Sequence, residues 1–173
     1  MAKKFKNFIN GKWVDAQSGR TFENHNPAHW EEIVGIFPKS GREDVNEAVK
    51  AALAQYGMLI GLAFQTVDDI LDFSSNSRIL GKPVVSDLKE GKVTLPLVYA
   101  MEQCTPAEAR LIETVLRERE FKTVSQKEIL SLVDKYQTVE KARSLARRFA
   151  AEAHSALQLF PKSPFKEALE AIP

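Results

Sequence analysis

The stretch from Tyr56 to Phe73, YGMLIGLAFQTVDDILDF, constrains the fold of this chain more than any other. Gln65, Asp68, Asp69 and Asp72 stand at i, i+3, i+4 and i+7, which at about 100° per residue is one face of a helix. The remaining positions are dominated by residues such as Leu59, Phe64, Val67 and Ile70, so the stretch predicts a helix buried on most sides. Three carboxylates then line up at a core edge with no lysine or arginine in the same helix. Like charges at i,i+4 cost roughly 0.2–0.5 kcal/mol even when exposed, and partial burial without a partner costs more. A bound cation relieves both. Oxygen ligands without histidine or thiolate favour Mg²⁺, which commonly bridges carboxylates to phosphates, so a diphosphate is the natural second ligand. An Asp-Asp pair alone would read as a solvated helix end. Four polar residues in register on an apolar helix point instead to a metal site.

Downstream lie Gly81-Lys82-Pro83 and Asp87-Leu88-Lys89-Glu90-Gly91-Lys92, which read as a glycine-bearing, lysine-rich loop. Lysine is a compact cation suited to phosphate oxygens, although a loop lysine by itself is usually just solvated. Gly57 and Gly61, one helical turn apart, would let a neighbouring helix approach closely.

FQTVDDILDF followed by GKPVVSDLKEGKVTLPL resembles the second aspartate-rich region of trans-isoprenyl diphosphate synthases, and the resemblance runs from about Tyr56 to the C-terminus. It implies a mainly α fold, a partial isoprenoid-synthase-type bundle. It also implies a prenyltransferase of isoprenoid biosynthesis, condensing isopentenyl diphosphate with an allylic diphosphate. By that resemblance Asp68, Asp69 and Asp72 bind Mg²⁺ bridging to the allylic diphosphate, Gln65 lies beside them, and Lys82 and Lys92 contact the diphosphate. Stabilising the charge that develops on the leaving diphosphate would be the main task. The family's first aspartate-rich motif, the basic residues that hold isopentenyl diphosphate and a lysine-threonine pair have no match before Tyr56. The chain alone is therefore expected to be inactive or nearly so. Either a second subunit completes it, or it self-associates over apolar stripes such as Leu145, Phe149, Ala153, Leu157 and Phe160. An inert helical interaction module is the competing reading.

Before Ala51 the pattern differs. Phe8-Ile9, Asn10-Gly11 and Trp13-Val14 read as a hairpin on a two-residue turn. Asn24, Asn26 and Pro27 mark a second turn, and Glu32–Pro38 a strand-like run. Ser40 and Glu43 form a capping box that opens a helix through Val45, Ala48, Val49 and Ala52. The strings KNFINGKWVDAQSGRTFENHNPA and EEIVGIFPKSGREDVNEAVKAA resemble the opening of an aldehyde dehydrogenase over about Phe5–Leu53, with His29-Trp30 departing from a Thr-Gly turn. In that family this stretch is an arm that carries no chemistry. Its cofactor-binding glycines and general base have no match, and Cys104, directly before the Thr105 cap, reads as a structural thiol. The expectation is a hybrid: residues 1–54 an aldehyde-dehydrogenase-like arm with a short β-hairpin, residues 55–173 a polyprenyl-synthetase-like helical half-domain. The seam falls between Ala51 and Tyr56, where one continuous helix could cross. Further helices are predicted from Thr94-Leu95-Pro96, to about Glu120 from Thr105-Pro106, from Ser125, over Val139–Phe160 and from Ser163-Pro164.

The net charge of +1, with lysines and arginines dispersed, argues against nucleic acid and against a polybasic membrane patch. One cysteine permits neither an intrachain disulfide nor a thiolate zinc cluster, which fits a reducing cytoplasm. The basic start (Lys3, Lys4, Lys6) runs into Asn7 and Asn10, unlike a signal peptide. The longest apolar stretch, Met58–Phe64, is far too short to span a membrane. A soluble cytoplasmic protein is expected.

Overall fold

Asn10 and Gly11 both take positive φ, 51° and 71°, the combination a two-residue primed turn requires. They join strand β2 (Asn7–Ile9) to strand β3 (Lys12–Val14) as an antiparallel pair. This is the hairpin the sequence predicts. A second sheet orders β1 (Lys3–Lys4), β5 (His29–Pro38) and β4 (Thr21–Asn26), with β1 parallel and β4 antiparallel to the central strand. The second turn falls at Pro27 and Ala28, while Asn24 lies within β4. The structure, a computed structural model, describes residues 2–73 and 85–172. Within them the strands are followed by α1 (Arg42–Leu71), α2 (Ser86–Glu90), α3 (Leu95–Met101), α4 (Pro106–Glu118), α5 (Gln126–Lys135), α6 (Thr138–Leu157) and α7 (Pro164–Glu170). The fold is mainly helical, as expected.

One helix spans the positions where the seam was expected: α1 runs unbroken for 30 residues. It starts differently from the sequence expectation. Gly41, not Ser40, is the N-cap, and the Asp44 carboxylate accepts N–H bonds from Gly41 and Gln17, both at 2.8 Å. Those two bonds hold the Asp44 carboxyl below the usual carboxylate range, and the Gln17 bond fastens the β3–β4 connection to the first turn of α1. The Ser40 hydroxyl bonds Asn7 instead. Thr105 with Glu108 and Ser125 with Glu128 do form the capping boxes that open α4 and α5.

Residues Ala52, Tyr56, Leu59, Thr66 and Ile70 of α1 are buried at spacings built from threes and fours, a single seam rather than a wide apolar arc. The partner is α6, laid antiparallel. Tyr56 and Leu59 pack with Ala153 and Leu157, flanked by Phe149 and Phe160. Tyr56 also donates its hydroxyl to the Leu169 carbonyl at 2.6 Å, which ties α7 to the seam. Ala142, Ala146 and Ala153 on α6 leave room for the close approach. A second core gathers Phe73, Val85, Leu88, Leu97, Ile112 and Ile129, joining the end of α1 to α2, α3, α4 and α5.

Two expectations are overturned. The helix over Tyr56–Phe73 is not buried on most sides: Met58 is 63% exposed and Phe64 75%, and Leu62 and Val67 are also exposed. Conversely, the α6 stripe expected to lack cover is largely covered, because α1 itself fills it. A helix carrying apolar residues all round has more such surface than one antiparallel neighbour can take. Gly57 and Gly61 fall on the open side, and a Cβ built on either would have nothing within 4 Å.

Candidate metal and diphosphate site

The acidic end of α1 meets the start of α2 and of α3. Gln65 and Asp68 are exposed, while Asp69 is partly buried. Asp69 Oδ1 accepts a bond from Gln65 Nε2 at 3.2 Å, and Asp69 Oδ2 accepts the backbone N–H of Leu95 at 3.0 Å. Leu95 is the first residue of α3, whose N-cap Thr94 makes no side-chain cap bond. The carboxylate of Asp69 therefore satisfies a donor that the helix start would otherwise leave open.

Lys92 stands beside these carboxylates. Its Nζ lies 2.7 Å from Asp87 Oδ2 and 3.8 Å from Asp69 Oδ1. The Asp87 bond, reinforced by the nearby charges of Asp69 and Asp68, raises the Lys92 pKa above the ordinary lysine value. Asp87–Glu90 are not loop but part of α2, and Gly91 ends that helix at φ 88°, turning the chain so that Lys92 N donates to the Asp87 carbonyl. Asp87 was not among the predicted site residues. The signal available was its position five residues before Lys92, across a glycine able to reverse the chain.

Asp72 is differently placed. It is the C-cap of α1 and is half-buried. Its Oδ1 accepts from Ser86 N and Ser86 Oγ, both at 3.0 Å, and from Asp87 N at 3.4 Å. Its Oδ2 is buried without a hydrogen-bond partner among the described residues. Burial pushes the Asp72 carboxyl above its usual range, with the Ser86 bonds opposing. Lys82 lies outside the described residues.

Gln65, Asp68, Asp69, Asp87 and Lys92 are thus brought to one end of α1. The donors are hard oxygens, a set suited to Mg²⁺ or another small divalent cation, and the Lys92 ammonium already sits among the carboxylates as a positive charge. Among the described residues no three His, Cys, Asp or Glu side chains are grouped to enclose a metal.

Residues 40–133 match the polyprenyl synthetase family, and the chain belongs to it. The match begins at the start of α1, upstream of the change in sequence pattern. The chain is 40% identical over 126 residues to octaprenyl diphosphate synthase of Haemophilus influenzae, covering 73% of this chain and 38% of that protein. To solanesyl diphosphate synthase 1, chloroplastic, of Arabidopsis thaliana it is 40% identical over 127 residues, 73% of this chain and 30% of that one. Among solved structures, polyprenyl synthase from Caulobacter crescentus, complexed with calcium and isoprenyl diphosphate, superposes with a TM-score of 0.62. It is 36% identical and covers 70% of this chain and 37% of that chain. The chain therefore spans well under half the length of these relatives. No helix among the described residues is long and apolar enough to cross a membrane.

Proposed function

We propose that this chain carries the Mg²⁺-diphosphate half-site of a trans-prenyltransferase of isoprenoid biosynthesis, with an allylic diphosphate or inorganic diphosphate as its ligand. The observation that carries this reading is the convergence of Asp68, Asp69, Asp87 and Lys92 at one end of α1. Asp68 and Asp69 Oδ1 would hold the cation, with Asp72 behind them. Lys92 would leave Asp87 to meet a diphosphate oxygen, with Lys82 as a second phosphate contact and Gln65 orienting Asp69. Bound there, Mg²⁺ would neutralise the charge a departing diphosphate acquires. The relative complexed with calcium and isoprenyl diphosphate supports a divalent cation and a prenyl diphosphate as the ligand class.

The open side of α1, with Gly57, Gly61, Met58 and Phe64 uncovered, favours completion by further helices, from a second subunit or by self-association. On this reading the chain alone turns over little, and residues 55–173 form the synthase-like unit. Residues 1–54 form the aldehyde-dehydrogenase-like arm of a cytoplasmic hybrid. Calorimetric titration of inorganic diphosphate, with and without Mg²⁺, tests the half-site. Binding that requires Mg²⁺ and is lost in Asp68→Asn supports it, whereas absence of binding to the folded chain refutes it.

A further inference from the structure

The three aspartates differ in what their oxygens already do. Asp68 is exposed and makes no side-chain hydrogen bond to another described residue, and Asp69 keeps Oδ1 toward Gln65 and Lys92. Asp72 turns away from both. Its Oδ1 is taken by Ser86 N, Ser86 Oγ and Asp87 N, and its Oδ2 is enclosed. Its position is unfavourable for α1, since a carboxylate at a helix C-terminus meets the negative end of the helix dipole, and no basic residue lies in that last turn. What compensates is the start of α2. The N-cap of α2 is Val85, at φ 59°, with no side chain able to accept a bond, so the first amides of α2 depend on an acceptor from elsewhere. Asp72 is that acceptor, fourteen residues earlier than Ser86. A second bond joins the same segments, from Val85 N to the Asp72 carbonyl at 2.6 Å.

From these contacts we infer that Asp72 is a positioning residue for the half-site, rather than a third ligand to its cation. The inference rests on the proposed Mg²⁺-diphosphate reading of that site. By capping α2 in place of Val85, Asp72 fixes the backbone of Asp87. Asp87 in turn holds Lys92 beside Asp69. The role needs a hydrogen-bond acceptor and not a charge, which separates it from metal ligation.

The test compares Asp72→Asn, Asp72→Ala, Ser86→Ala and Asp68→Asn with the unaltered chain, each titrated with inorganic diphosphate in the presence of Mg²⁺. Asp72→Asn retains an acceptor oxygen and should bind within about threefold of the unaltered chain. Asp72→Ala should bind roughly tenfold more weakly, as outer-shell substitutions commonly do, and Ser86→Ala should shift in the same direction by less. Asp72→Asn as damaging as Asp68→Asn overturns the inference and makes Asp72 a ligand. A second readout needs no ligand at all. Amide exchange at Ser86 and Asp87, and the NMR signal of the hydrogen-bonded Lys92 ammonium, are followed in the free proteins. Asp72→Ala should speed both amides and broaden the ammonium signal, and Ser86→Ala should partly do so. Unchanged spectra in both variants overturn the inference. If the unaltered chain binds no diphosphate, the half-site reading fails, and these spectra still decide what Asp72 does.

Discussion

The two sides of α1 are about equally apolar in sequence, yet one is closed and the other open. On the closed side Tyr56, Leu59 and Ile70 are about 6% exposed, the first two packed against α6. On the open side Leu62 and Phe64 lie within two turns of Asp68 and Asp69, and they and Met58 remain uncovered. Hydrophobicity alone does not separate the sides. The partner does: Tyr56 and Leu59 pack with Ala153 and Leu157 of α6, and no such neighbour covers Met58 or Phe64 among the described residues. The site takes shape at the end of α1, where the second core begins at Phe73.

The contrast can be broken most severely from the closed side. Leu157→Ala, at a residue 1% exposed, should cost about 2–5 kcal/mol by leaving a cavity against Tyr56 and Leu59, measured by chemical denaturation. At the acidic end, Asp68→Asn should weaken Mg²⁺-dependent diphosphate binding by tenfold or more, about 1.4 kcal/mol, with little loss of stability because the side chain is exposed. Equal losses of binding and of stability would mean that the acidic end is merely structural.

A control lies away from both sides. Glu108 accepts from Lys135, Thr105 and Tyr136, and the Lys135 bond leads in lowering its pKa from 4.5 to about 2. A depressed carboxyl contributes stability above its unfolded value, and that contribution is lost as pH falls from about 4.5 toward 2. Glu108→Gln should therefore flatten that part of the acid-denaturation curve and leave diphosphate binding unchanged. The smallest effect on stability belongs to the open side: Phe64→Ser should stay within ~0.5 kcal/mol. The same variant should reduce self-association in sedimentation if this side is what copies of the chain use. A large destabilisation there would mean that Phe64 is covered after all.

Much of this was legible along the chain. Thr105 with Glu108 and Ser125 with Glu128 announce α4 and α5, and Asn10-Gly11 announces the hairpin, because each signal lies within a few residues of the donors it satisfies. The four polar residues in register marked the end of α1 as a candidate site for the same reason. Less legible was the start of α1, where Asp44 reaches back to both Gly41 and Gln17 and displaces the Ser40 cap.

By itself, then, the sequence determined the helical class, the hairpin and the placement of Gln65, Asp68, Asp69 and Asp72 on one helix end. All of these follow from spacing within a single segment. Only the tertiary structure decided which side of α1 is covered, that Asp87 holds Lys92 beside Asp69, and that Asp72 turns to cap α2. Those outcomes depend on groups between five and about a hundred residues apart, and local periodicity carries no information about which of several acceptors a distant amide or ammonium will find.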